Sequence, residues 1–278
     1  MELPHRGSGR PISLWVMIGE DIYEGGLVMN IVIAMKQIPD LQQIRIRNRQ
    51  PILDDVPLTL GNIDKNALEA GVNLRDELGG KVTVLSAGNE DIEDTVKEAL
   101  AAGADEAFLV IDDSLNGAES SVIANVLAAS IKQIEEPALI LFGEGSGDNY
   151  SGQVGSRVAE ILNLPQVSFA SSIEIRGNQA VVTRSLEDGE EIVQVDLPAI
   201  VAVLADINEP RIPSVTQILK AGKKPKEVLE LDELEVEAGK AMVITANNLA
   251  PETERKRVVV KSVDELIQAL TTEGYVGR

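Results

Sequence analysis

The sequence predicts an α/β protein with a mostly parallel sheet covered by helices on both faces. Three observations predict it. Short β-branched runs alternate with helix-length segments from Met29 to Leu162. After Pro165 the pattern switches to period two. Residues 227–255 are acidic and have little apolar core.

The elements follow in order. Asn30–Lys36 (Asn-Ile-Val-Ile-Ala-Met-Lys) is too short for a helix and reads as a buried strand. Lys65–Leu78 carries apolar residues or glycine at 67, 68, 71, 72, 74 and 78, near helical spacing, and Gly79-Gly80 stops it. Lys81–Ser86 is the next strand, Ile92–Ala102 a helix ended by Gly103, and Glu106–Ile111 a strand. Gly117–Gln133 reads as a helix, Pro137–Gly143 as a strand and Gly152–Leu162 as a helix. This alternation implies right-handed crossovers and a Rossmann-like sheet. Phe169–Arg176, Gln179–Ser185 and Glu190–Val195 alternate in period two. Gly177-Asn178 and Asp188-Gly189 separate them, so they read as antiparallel hairpins. Ala199–Leu204 is one more apolar strand, Pro213–Ala221 a short helix, and Gly222–Lys226 a break.

Three regions result. Residues 29–228 form the α/β domain. Residues 229–278 read as an extended arm without its own core, one that packs on a partner or stays mobile. Its last helix, Ser262–Thr271, is capped by Ser262 with Glu265 three residues on. Residues 1–28 are expected to be translated leader, not native or disordered. Glu24-Gly25-Gly26 stands just before Val28-Met29, and codons for Glu-Gly-Gly can spell a ribosome-binding site, which makes Met29 the expected start.

Composition narrows the chemistry. The chain has 45 acidic and 25 basic residues, a net charge of −20. That argues against nucleic acid and anionic membranes as main partners, since phosphate binding needs positive surface. No run approaches the ~20 apolar residues of a membrane span. Ile12–Ile18 is followed by Glu20, Asp21 and Glu24 and makes a poor signal peptide, so a cytoplasmic location is expected. There is no Cys and one His, His5. Thiolate chemistry is excluded, and a zinc site or a Ser-His-Asp triad is not expected. If electrons move, a bound cofactor carries them.

Three segments could carry function. The first is Gly143-Glu144-Gly145-Ser146-Gly147-Asp148-Asn149-Tyr150-Ser151-Gly152-Gln153-Val154, between a strand and a helix. Glycines allow close backbone approach, and N–H groups at a helix start attract phosphate, so the loop reads as a nucleotide site or as a flexible turn. It matches neither the Walker spacing nor the dinucleotide fingerprint. The second is the pair of strand ends Ala34-Met35-Lys36 and Ser86-Ala87-Gly88. Small residues there floor a nucleotide pocket or let helices pack closely. The third is Asn208-Glu209-Pro210-Arg211-Ile212-Pro213 followed by Lys220, Lys223, Lys224 and Lys226, a basic island in an acidic chain. It reads as a solvated face or as a recognition loop stiffened by prolines.

Together these segments resemble the β subunit of the electron-transferring flavoproteins. The resemblance runs from Ala34-Met-Lys-Gln-Ile-Pro-Asp40 through Ala67-Leu-Glu69, Gly80–Ser86 and Ala99–Asp105. It continues through Gly152-Gln-Val-Gly155, Leu164-Pro-Gln166 and Leu197-Pro-Ala199 to Asn208-Glu-Pro-Arg211 and the Lys-rich segment to Lys226. It implies an adenine-nucleotide-binding fold that pairs with a larger α subunit, which supplies most of the site for a redox FAD. The β chain would hold AMP, or a second FAD that oxidises NADH in electron-bifurcating members. Electrons would pass from dehydrogenases through FAD to a quinone reductase or ferredoxin-type acceptor, with no catalytic acid or base in this chain. Carried over by position, the nucleotide site would use Ala34, Gly61, Asn62, Ile63, Asp64, Ala87 and Gly143–Val154. Val215 would take the place of a leucine anchor for partner dehydrogenases, flanked by Lys220 and Lys223. The chain departs from the pattern at Ile63, where the family has an aromatic residue, and at Glu144, where it has a base and where a carboxylate repels phosphate. Leu41 replaces a tyrosine that some members place near the flavin. A stand-alone nucleotide-binding or sensor protein is the rival from another class.

Overall fold

The structure, a computed structural model, describes residues 16–18, 21–23, 29–234, 236, 243–252 and 257–276. Most of the expected leader lies outside the described residues. Its described parts, β1 (Val16–Ile18) and β2 (Asp21–Tyr23), pair antiparallel.

The main unit holds β3 (Met29–Ala34), β4 (Gln37–Pro39), β7 (Leu58–Leu60), α1 (Asn62–Leu78), β8 (Gly80–Gly88), α2 (Ile92–Ala102) and β9 (Glu106–Ile111). It continues with α3 (Ser120–Ile131), β10 (Leu139–Gly143), α4 (Val154–Leu162), β11 (Gln166–Arg176), β12 (Gln179–Leu186), β13 (Gly189–Asp196), β14 (Ala199–Val203), α5 (Val215–Ala221) and β15 (Lys226–Leu229). Nine strands form one sheet in the order β13-β12-β11-β14-β10-β3-β8-β9-β15. From β11 to β15 every neighbouring pair is parallel, while β11–β12 and β12–β13 are antiparallel. The mixed α/β architecture is the one the periodicity predicts.

Alternation along the strands divides the core. On β3, Ile31 and Ile33 face one side with Val82, Val84, Leu139, Leu141 and Val201, where α1 and α2 pack. Val32 and Ala34 face the other with Leu85, Ile140, Phe142 and Ile200, where α3 and α4 pack. Helices covering both faces explain why these strands read as unbroken apolar runs. Helix α1 is stopped at Gly79 and α2 at Gly103, both at positive φ, a conformation glycine adopts without penalty.

Two parts were not legible. β15 starts on Lys226, the last residue of the expected break, and runs across the expected boundary at residue 228. It is a four-residue edge strand with Val228 exposed, so no alternation marks it. After it, Leu229, Leu231 and Leu234 pack with Val110, Leu115, Val122 and Val126. The segment between β3 and α1 folds into three-residue strands, shorter than any periodicity test can see. β4 pairs with β7.

The second unit comprises residues 45–52 and 246–278. β5 (Arg45–Arg47) and β6 (Gln50–Ile52) form a hairpin whose turn residues Asn48 and Arg49 both have positive φ. Arg49 exchanges two bonds with Ala250, backbone N–H to Arg49 O at 2.7 Å and Arg49 Nε to Ala250 O at 2.8 Å, and its guanidinium pairs with Glu252. α6 (Val263–Thr272) starts at Ser262, whose Oγ accepts the Glu265 N–H at 3.2 Å. No described residue of this unit is buried.

Candidate functional site

Strand order locates the site. From β3 the chain winds through β8 to β9, then returns to the opposite side of β3 for β10 and β14. Ligands of open α/β sheets bind where the winding reverses, outside the carboxyl ends of the strands. A cavity of about 480 Å³ lies there. Its floor is the ends of β3 (Ala34, Met35, Lys36), β8 (Ala87, Gly88), β10 (Phe142, Gly143) and β14 (Ala202). Ser120 at the start of α3 and Val154–Ser156 at the start of α4 form its walls.

The polar groups form a connected set. Asp64, in the first turn of α1, is buried and accepts the Lys36 N–H at 2.8 Å, with the Gly143 N–H as a second backbone partner. It thus ties α1 to the ends of β3 and β10. Burial pushes its carboxyl up to about 7 despite these bonds and the Lys36 ammonium. Lys36 Nζ stands 2.6 Å from Asp148; burial pushes the Asp148 carboxyl up, but Lys36, Ser146 and the Asn149 N–H together hold it below the usual carboxylate range. The Ser120 and Ser151 hydroxyls meet at 3.1 Å. Neither α3 nor α4 is capped by its N-cap side chain, so both helix starts present amide donors and positive dipole ends to one cavity. That arrangement suits a phosphate or another anion.

The electron transfer flavoprotein domain model matches residues 52–234. The chain is 36% identical to an electron transfer flavoprotein subunit beta of Thermoanaerobacterium thermosaccharolyticum, over 87% of this chain and 96% of that one. A Clostridium acetobutylicum protein of the same name is 35% identical over 75% of this chain and 81% of its own. This chain belongs to the electron transfer flavoprotein β-subunit family. Also similar is subunit CarD of the caffeyl-CoA reductase–Etf complex of Acetobacterium woodii, 36% identical over 71% of this chain and 76% of that one. β subunits of this family pair with an α subunit and serve electron transfer. Among the described residues, no helix is long and apolar enough to cross a membrane.

In this β subunit the cavity gathers Ala34, Asp64, Ala87, Gly143, Glu144, Gly145, Ser146, Asp148, Asn149, Ser151, Gly152, Gln153 and Val154. Five residues expected at the site do not line it. Gly61, Asn62 and Ile63 begin α1 behind Asp64, and a Cβ on Gly61 would stand 2.9 Å from the Asp64 carboxylate. Gly147 turns toward Leu41, whose Cδ1 would be 2.7 Å from an added Cβ. Tyr150 lays its ring over Gly145 and donates its hydroxyl to Glu144 at 2.8 Å, which engages the carboxylate expected to repel phosphate. The sequence reading missed Asn89, Asn116, Ser120, Gln166 and Ala202. Ser120 was findable, since a helix start that follows a parallel strand belongs at this end of the sheet. Gln166 and Ala202 arrive from strands whose neighbours only the topology reveals.

Val215 and Lys220 lie on α5, and Lys223 follows it. Val215 is 75% exposed beside exposed Ile218 and Leu219, so α5 presents an apolar face to solvent. Ser214 and Gln217 form a capping box at its start.

Proposed function

We propose that this β subunit holds an adenine nucleotide in the cavity at the ends of β3, β8 and β10. In the α/β heterodimer it would take part in passing electrons from a dehydrogenase, by way of FAD, to a quinone reductase or ferredoxin-type acceptor. The convergence of two helix starts and the Gly143–Val154 loop on one cavity carries this reading. FAD supplies the redox chemistry when bound, accepting and releasing electrons. The residues of this chain bind and orient. The starts of α3 and α4 with Ser120 and Ser151 would receive phosphate, and Lys36, steered by Asp148, would add charge. Ala34, Ala87 and Gly88 leave room for a flat base between strand ends. No side chain here needs to act as acid or base, which accords with a chain that has no Cys and one His.

The exposed face of α5 is the docking surface of this reading, with Val215 as its anchor and Lys220 and Lys223 at its rim. The arm with α6 is the part that packs on the α subunit, since none of its described residues from 246 onward is buried. A cytoplasmic location belongs to the same reading. The ligand of the cavity is AMP, or a second FAD if the complex is of the bifurcating type.

The test is the Ser120→Asp variant, which sets a carboxylate at the phosphate end without touching the core. The expected result is a heterodimer that binds FAD with α but has lost AMP, or the second flavin, from the β chain. Unchanged nucleotide content would remove this cavity from the function.

A further inference from the structure

The Asn208–Arg211 segment lies outside the cavity and shortly before α5, and its Asn208 and Arg211 side chains turn inward onto α1. Arg211 donates Nε to Glu69 Oε2 at 2.7 Å and Nη2 to Glu69 Oε1 at 3.0 Å. Its backbone N–H reaches the same carboxylate at 3.1 Å, and Nη2 also reaches Asn73 Oδ1 at 2.9 Å. Asn66 and Asn208 exchange amide bonds, Asn66 Nδ2 to Asn208 O at 2.8 Å and Asn208 Nδ2 to Asn66 O at 3.0 Å. Glu69 is buried; burial would push its carboxyl up, and the bonds from Arg211 hold it below its ordinary value. A two-pronged guanidinium–carboxylate pair fixes orientation as well as distance. Pro210 and Pro213 stiffen the chain on either side of Arg211.

Beyond α5 a second clasp closes. Lys224 Nζ donates to Leu100 O at 2.9 Å and to Ala104 O at the end of α2. Between the clasps stands a seven-residue helix in which Ala221 is the one buried residue. Such a helix is too short to hold itself in water. Side chains outside it must fix its direction while Val215, Ile218 and Leu219 stay in solvent.

We propose that Arg211 is a positioning residue for partner docking. Through Glu69 it sets the orientation of α5, so that the apolar face is preformed before a partner arrives and less ordering cost falls on binding. This rests on the reading of α5 as the docking helix.

The test uses the heterodimer purified with its α subunit and limited trypsin digestion, with cuts located by mass. Cleavage after Lys220 and Lys223 requires α5 to open locally. Arg211→Met and Glu69→Gln should each speed these two cuts by about tenfold, as expected for loss of a charge-assisted pair. Cleavage after Lys132 at the end of α3, and FAD content, should stay unchanged. Arg211→Lys, which keeps the charge and loses the fork, should fall between. If Arg211→Met does not fold, Glu69→Gln carries the test alone. Unchanged cuts at 220 and 223, or a rise that includes Lys132, would overturn the proposal. The docking reading fails separately, if Val215→Arg leaves reduction by the donor dehydrogenase intact while Arg211→Met still loosens α5.

Discussion

Asp64 and Gly143 meet with no room for a side chain between them: a Cβ at residue 143 would stand 2.5 Å from Asp64 Oδ1 and 3.1 Å from the Asp64 nitrogen. The start of α1 is thereby pressed against the strand end from which the cavity loop departs. The same carboxylate holds the end of β3 through the Lys36 N–H. One buried acid thus fixes three elements whose mutual placement defines the floor of the cavity.

Gly143→Ala therefore acts on fold and site together. The added methyl meets the buried Asp64 carboxylate first and, at 3.1 Å, the backbone of Ile63 and Asp64, and overpacking of this kind costs about 1–3 kcal/mol. The expected outcome is a lower urea midpoint and loss of bound nucleotide from the purified heterodimer. Retention of both would show that α1 can withdraw without disturbing the loop.

Asp64 predicts a pH dependence. Its carboxyl titrates near 3.8 ordinarily and is pushed up to about 7 in the fold. A raised value means that folding favours the protonated acid. Its contribution to stability is fully present below about 3.8 and is lost as pH rises through about 7. Infrared difference spectra should show a protonated carboxyl band at pH 5.5 that disappears near neutrality and is missing from Asp64→Asn. A band that titrates below pH 5 would contradict this.

Arg49 occupies a turn position at φ 66°, where glycine is at ease and arginine is not. Its bonds to Ala250 and Glu252 hold the arm to the hairpin. Arg49→Gly should relax the turn and release the arm. We expect faster proteolysis between residues 243 and 262 and weaker association with the α subunit, with no change in the melting temperature of the α/β domain. Equal association would show that the arm finds its place without the hairpin.

Val215→Arg sets a charge on the exposed face of α5 without touching buried residues. Flavin content should be normal, while KM for the donor dehydrogenase rises at least tenfold, as expected for a buried anchor of an interface. Normal electron transfer would assign the helix another role.

The sheet was readable because burial on both faces writes apolar runs, and glycines mark where helices stop. Ile92–Ala102 and Glu106–Ile111 fall where periodicity puts them. β15 was not readable, since its identity rests on pairing with β9 and not on a pattern of its own. Half of the cavity followed from one rule, that small residues and loops at strand ends face ligands. The residues that miss the cavity do so for different reasons. Gly61 and Gly147 sit beside the cavity in sequence, but they pack closely on Asp64 and Leu41, while Asn62 is exposed at the start of α1. Tyr150 was placed by its bond to Glu144, which no spacing reveals.

The proposed function requires that the β chain carry a nucleotide in this cavity within a flavin-bearing heterodimer. The most direct measurement is to co-express it with its α subunit, purify the complex, denature it and count the released FAD and AMP. A nucleotide-bearing β chain releases one FAD with one AMP, or two FAD without AMP if the complex is bifurcating. A heterodimer that releases one FAD and no second nucleotide would contradict it.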